Sequence, residues 1–197
     1  MVNIMIFGDS IVFGGWDDEL GGWANRLKIF CMKHNDEHNV FNLGIVGDRS
    51  EWLLERFKFE AEQRLSEEEN IIIFAIGMND SYAIKPEKFE ENIKKLIKLS
   101  RKFTRRILFV GLINVIEKVT NPVPWCRDAF YKNKNIEQFD GVLRDICIKH
   151  KLSFIEVYNL FGKDDFYLPD DGLHPNPKGH EKIFNLVKDF LIKNKWI

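Results

Sequence analysis

A serine directly behind an apolar run, with an aspartate and a histidine three residues apart far downstream, supplies the residue types that acyl transfer needs. Ser10 lies in Gly8-Asp9-Ser10-Ile11, after the run Val2 to Phe7, and Asp171-Gly172-Leu173-His174 lies near the other end of the chain. Serine is a weak nucleophile until a base takes its proton, and that base must itself be oriented by a carboxylate. The three-residue spacing lets one tight loop bring the Asp171 carboxylate to His174 Nδ1, leaving Nε2 to face Ser10 Oγ. Asp170 is a rival carboxylate one position earlier. Charge developing on the carbonyl oxygen also needs hydrogen-bond donors, each worth roughly 3 kcal/mol when removed. Asn79, in Gly77-Met78-Asn79-Asp80, offers a side-chain amide, and the Ser10 N–H is a second donor. The segment Asn42 to Asp48 contains Gly44 and Gly47, at either of which a backbone N–H can approach a ligand closely. Asp9 and Asp80 are expected to hold neighbouring backbone N–H groups.

These residues must be brought together across more than 160 positions of chain, and the apolar pattern indicates how. Five short apolar runs, Val2 to Phe7, Asn39 to Leu43, Asn70 to Ile76, Arg106 to Gly111 and Leu152 to Val157, alternate with segments of helical period. That alternation is the signature of a parallel sheet with crossover helices, and right-handed crossovers predict five strands in the order 2-1-3-4-5. The third and fourth runs are continuous enough to be buried on both faces, so they belong at the centre. Helical faces are traced by Trp23 to His34, Leu54 to Leu65, Phe89 to Phe103, Ile136 to His150 and Ile183 to Leu191. The last opens with Asn176 as N-cap and Pro177 at the first helical position. Ser66 to Glu69 matches a capping box, but a strand follows at once and the segment reads as a turn. The predicted strand ends place Ser10, the glycine segment and Asn79 at the carboxyl edge of the sheet, where open α/β folds bind ligands.

Four blocks in this order resemble the SGNH hydrolases, the GDSL-type esterases and lipases: Gly-Asp-Ser-Ile at 8 to 11, Asn-Leu-Gly-Ile-Val-Gly-Asp at 42 to 48, Gly-Met-Asn-Asp at 77 to 80 and Asp-Gly-Leu-His-Pro at 171 to 175. The resemblance implies a three-layer α/β/α sandwich of flavodoxin-like form, an esterase activity and no cofactor. It implies Ser10 as nucleophile, His174 as base, Asp171 as its partner, and Gly47 with Asn79 and the Ser10 N–H as oxyanion donors. Ile11 stands where the family nickname has leucine, a volume-conserving change. Arg49 follows Gly47-Asp48 where many members carry a small hydroxyl residue, and at the rim of a site it would favour an anionic substrate or be solvated. The motif differs from the Gly-x-Ser-x-Gly elbow, since Val12 occupies the second glycine position.

The stretch Asn114 to Asn133 fits neither a strand nor a helix, and loops of that length in a compact domain are usually functional. In the family that loop borders the acyl site, which makes Val123, Trp125 and Phe130, stiffened by Pro122 and Pro124, a candidate wall that restricts the acyl pocket. The expected substrate is a small, short-chain carboxylic ester or thioester. A carbohydrate O-deacetylase would use the same residues, and a silent glycan- or lipid-binding domain is the alternative outside enzymology.

The remaining composition narrows the classes. At 197 residues the chain is expected to form one domain. Its formal net charge of -1, from 29 basic and 30 acidic residues, provides no global field for nucleic acid. No apolar run approaches the roughly 18 residues of a membrane span, and the N-terminus has no basic n-region, so a cytoplasmic location is expected. Cys31, Cys126 and Cys147 lack Cys-x-x-Cys spacing and are expected to be reduced, small core residues. His34, His38, His150 and His180 have no metal-ligand spacing, and no metal site is expected. The cations from Lys94 to Arg106 read as a solvated helix face.

Overall fold

The computed structural model describes residues 1–34, 38–161, 166–167 and 171–197. Five parallel strands, β1 (Val2–Gly8), β2 (His38–Gly44), β3 (Glu69–Ala75), β4 (Arg106–Val110) and β5 (Ser153–Ile155), form one sheet in the order β2-β1-β3-β4-β5. Helices α2 (Gly22–His34) and α8 (Pro177–Lys193) pack together, and α5 (Pro86–Ser100) packs on both α3 (Ser50–Glu62) and α7 (Asn133–His150). The result is the expected α/β/α sandwich. Short helices α1 (Ser10–Phe13), α4 (Asp80–Ala83) and α6 (Glu117–Thr120) follow β1, β3 and β4.

Strand register explains how the site is levelled. Phe7, Phe74, Phe109 and Phe154 are register partners across β1, β3, β4 and β5. The first three are fully buried, and the rings of Phe7, Phe57 and Phe74 meet at 5.0 to 5.8 Å, with Phe109 5.1 Å from Phe74. Such an aromatic row contributes both buried area and ring-pair attraction, about 0.5–1.5 kcal/mol per pair beyond burial. One residue beyond the row β1, β3 and β4 end, at Gly8, Ala75 and Val110, so three loops start from the same level. Gly8 is required there: a Cβ would lie 2.2 Å from the Ala75 carbonyl oxygen and 2.3 Å from Val12.

Several local expectations differ from the structure at their edges. The β5 strand spans only Ser153–Ile155, shorter than the apolar run from Leu152 to Val157, and Glu156 just beyond its end pairs with Arg144. Phe103 and Leu65 lie beyond the ends of α5 and α3; Phe103 covers the core from the following turn, whereas Leu65 is exposed. Asn176 does cap α8, accepting from Gly179 N at 3.0 Å, and Ser66 to Glu68 forms a turn held by Asn70. Cys31 and Cys147 are buried, but Cys126 is exposed because its loop lies over the carboxyl edge of the sheet and not inside a layer. Lys94 and Lys95 pair with Glu90 and Glu91 one turn earlier, as solvated helix residues do. No described helix is long and apolar enough to cross a membrane.

Candidate active site

The chain turns sharply out of β1 into α1. Asp9 is the N-cap and accepts from Ile11 N at 2.9 Å, which fixes Ser10 as the first helical residue, at the sheet edge. At the first helical position the Ser10 N–H has no partner within the helix. Ser10 Oγ lies 2.9 Å from His174 Nε2, and His174 Nδ1 lies 2.7 Å from Asp171 Oδ2. The other Asp171 oxygen accepts from the backbone N–H groups of Leu173 and His174, both at 2.7 Å. One carboxylate therefore shapes the loop and orients the imidazole. Gly172 makes the turn possible with a φ of 66°. The rival Asp170 lies outside the described residues.

Opposite the histidine stand two further donors. Gly47 has a φ of 78°, nothing within 4 Å of where a Cβ would be, and no acceptor for its N–H among the described residues. Gly44 is instead a packing glycine, since a Cβ there would meet Phe13 N at 2.2 Å. Asn79 is buried at the start of α4, and its Nδ2 donates to the Asp48 carbonyl at 2.9 Å, which leaves the second amide hydrogen free. Asp48 is itself held by Arg56, 2.6 Å away. Asp80 accepts from Ser50 N, and from the Ser50 hydroxyl at 2.5 Å, so the N–H it holds belongs to a residue 30 positions away and it braces α3 against α4.

Ser10, Gly47, Asn79 and His174 open into one cleft of about 120 Å³. Its remaining walls are Trp16, Val46, Tyr82, Trp125, Tyr131 and Leu173, with Cys126 and Ala129 beside them. The rings of Trp16 and Trp125 lie 4.3 and 5.7 Å from the His174 ring, and both indoles are more than half exposed. Trp16 adopts a φ of 66°, a left-handed conformation that is costly for a bulky side chain and recurs at functional sites.

Of the residues expected to wall the pocket, only Trp125 is in it. Val123 is buried, bridging Cys126 within the loop; Phe130 is on the outer surface; and Arg49 stacks on Trp52, 4.0 Å from the ring. The loop's alternation sends Ala129 and Tyr131 inward and Phe130 outward, a detail that an irregular segment does not declare in its sequence. Trp16, Tyr82 and Tyr131 lie outside the four motif blocks. Tyr131 lies in the loop flagged for its length, the one signal that pointed toward it.

Asp9 is buried, with no partner for Oδ2 among the described residues, beside a small, mostly apolar space lined by Ile11, Trp23, Met78 and Leu112. Burial pushes its carboxyl up to about 7, with nearby Asp80 and Asp48 adding to the effect against the Ile11 N–H. A carboxyl raised in the folded state stabilises it fully below the unfolded value near 4, and that contribution is lost as pH rises to about 7. Asp9→Asn carries no charge to bury. Its melting temperature relative to wild type is therefore expected to rise between pH 5 and pH 8, measured by thermal denaturation; a difference independent of pH would show that Asp9 is ionised throughout.

Comparison with known proteins bears on the family and the fold. The sequence model of the GDSL-like lipase/acylhydrolase family matches residues 6–182. An arylesterase of Vibrio mimicus is 23% identical over 195 residues, covering 98% of this chain and 89% of that protein. The crystal structure of a lipase/acylhydrolase from Enterococcus faecalis superposes with a TM-score of 0.77 at 23% identity, covering 97% of this chain and 95% of that one. An acetylxylan esterase from Geobacillus stearothermophilus superposes with a TM-score of 0.71 at 17% identity, covering 96% and 92%.

Proposed function

Because the chain belongs to the GDSL-like lipase/acylhydrolase family, we propose that it is a serine esterase that hydrolyses short-chain carboxylic esters or thioesters through an acyl-enzyme. The observation that carries this reading is the relay Asp171, His174, Ser10, with gaps of 2.7 and 2.9 Å, facing the Gly47 N–H, which has no acceptor among the described residues, and the Asn79 amide. His174 Nε2 takes the Ser10 proton as Oγ attacks the carbonyl carbon. The oxygen that becomes negative is received by the N–H groups of Ser10 and Gly47 and by Asn79 Nδ2. Collapse expels the alcohol, which takes the proton from Nε2, and water repeats the sequence on the acyl-serine. The Asp171 carboxylate keeps the imidazole in the tautomer with hydrogen on Nδ1.

Covalent labelling with a small fluorophosphonate tests the mechanism: one adduct is expected, on the peptide carrying Ser10, and none in Ser10→Ala. An unlabelled wild type that also fails to hydrolyse p-nitrophenyl acetate would favour a silent binding domain.

The size of the cleft and the chemistry of its walls bear on the substrate. A buried methylene contributes about 0.8 kcal/mol, so a long open groove would make turnover climb with acyl length. The 120 Å³ cleft, bordered by Trp125, Tyr82 and Tyr131, offers little room for such a climb. Acetyl to butyryl p-nitrophenyl esters are expected to exceed decanoyl in kcat/KM, and Trp125→Ala to narrow that difference. A wild type that prefers palmitoyl esters, or a chain-length profile that Trp125→Ala leaves unchanged, would refute this. The two exposed indoles beside His174 also suit stacking on a sugar ring. Acetylated xylo-oligosaccharides therefore belong in the same panel as the test of an O-deacetylase.

A further inference from the structure

We propose that Tyr131 is a positioning residue for the oxyanion: its hydroxyl holds the Asn79 amide with Nδ2 turned toward the cleft, so that the loop of residues 114–133 acts on the reacting oxygen as well as on the substrate. This rests on the reading of Ser10 as nucleophile and Asn79 as donor.

An asparagine amide has two ends of nearly equal shape, and rotating it exchanges a donor for an acceptor. At an oxyanion that exchange would replace attraction with repulsion, so the amide must be locked. Two buried contacts specify the same orientation. The Asp48 carbonyl accepts from Nδ2 at 2.9 Å, and the Tyr131 hydroxyl donates to Oδ1 at 2.5 Å. In the flipped amide, Oδ1 would face the Asp48 carbonyl, oxygen against oxygen. A hydroxyl donating into Oδ1 also draws electron density from the amide, which strengthens the remaining N–H as a donor in a site of low dielectric.

Tyr131 is itself fixed. Its backbone N–H donates to the Thr120 carbonyl at 3.0 Å, and the Thr120 hydroxyl donates to the Tyr131 carbonyl at 3.1 Å. Its ring meets Tyr82 edge-on at 4.9 Å, and the whole residue is buried. Burial, with the neighbouring Tyr82 phenol, pushes the Tyr131 hydroxyl well above its ordinary range, so it remains a donor wherever the protein is folded. Phenylalanine would fill almost the same space while leaving Asn79 Oδ1 without a donor, and a buried carbonyl left unpaired is costly.

The test is a double-mutant cycle between Tyr131→Phe and Asn79→Ala. Tyr131→Phe is expected to lower kcat for p-nitrophenyl butyrate about 10- to 100-fold with little change in KM. Inhibition by butylboronic acid, whose tetrahedral adduct on Ser10 places an oxygen where the oxyanion forms, is expected to weaken in the same proportion as kcat/KM. In the Asn79→Ala background Tyr131→Phe is expected to cost less than about twofold, because the group it orients is gone. A kcat for Tyr131→Phe within about twofold of wild type, or an equal loss in both backgrounds, would overturn the proposal. Should Tyr131→Phe fail to fold, Tyr131→p-aminophenylalanine and Tyr131→p-fluorophenylalanine fill the original volume; the first keeps a donor and is expected to keep most of kcat, the second to lose it, and equal rates would overturn the proposal. Fluorophosphonate labelling of the wild type separates the two levels. No adduct on Ser10 would remove the esterase reading itself, whereas labelling together with undiminished turnover in Tyr131→Phe would remove only the role of Tyr131.

Discussion

Ser10→Ala and His174→Ala are each expected to remove nearly all turnover, a loss on the order of 10⁵- to 10⁶-fold in kcat, with the fold retained. The size follows from the shared proton. The hydrogen bond of Ser10 Oγ is to His174 Nε2, at 2.9 Å, and without either partner the nucleophile is absent or keeps its proton. The double variant is expected to be no worse than either single one, because the two side chains act as a unit. A modest loss of stability is expected, too small to unfold the domain. Ser10→Ala leaves His174 Nε2 unpaired at a cost of about 1–3 kcal/mol, and the aromatic row beneath the site is untouched. Initial rates on p-nitrophenyl acetate with circular dichroism on the same samples provide the check. Activity within about 100-fold of wild type in either variant would reject the assignment, because donors and binding alone supply only a residual rate.

Asp171→Asn is expected to lose about 10³- to 10⁴-fold in kcat, more than the removal of one oxyanion donor, which costs about 10²- to 10³-fold. The structure supplies the reason. Asp171 Oδ1 is committed to the N–H groups of Leu173 and His174, at 2.7 Å each, so in the variant the amide oxygen must take that place. The amide nitrogen then faces His174 Nδ1, where Oδ2 stood. Two donors cannot face one another, and the imidazole responds by carrying its hydrogen on Nε2 and accepting at Nδ1. In that tautomer Nε2 cannot take the Ser10 proton. Asp171→Ala would also unlock the loop, so the two variants separate orientation from loop shape. Asp171→Asn is expected to melt near wild type and Asp171→Ala below it, while both are slow. Full activity in Asp171→Asn would shift the orienting role to another carboxylate, with Asp170 the neighbouring candidate.

The sequence alone carried the sheet order, because alternating apolar runs and amphipathic helices admit few topologies once crossovers are right-handed and short. Through the resemblance of four blocks to the SGNH hydrolases, where the residues alone left Asp170 and Gly44 open, it also carried the choice of Ser10, Asp171, His174, Gly47 and Asn79 as the candidate machinery. Each lies in a turn directly after a strand or before a helix, where local chain geometry dictates side-chain direction: the Asp9 cap aims Ser10, and the three-residue loop aims His174. The cleft walls were not legible in the same way. Val123 and Phe130 were expected in the wall, yet they turn into the core and onto the surface, because an irregular loop has no period from which its inward positions can be counted; Arg49, at the start of α3, stacks on Trp52. Trp16 and Tyr82 reach the cleft from segments with no motif, and Trp16 does so through a backbone conformation that its residue type disfavours. Tyr131 makes the point most sharply, since its bond to Asn79 joins residues 52 positions apart and exists only because the α6 turn and Thr120 hold the loop down on the sheet edge. Local sequence determines what a strand end or a cap will present; which distant side chain closes on it depends on packing between layers, and only the tertiary structure decides that.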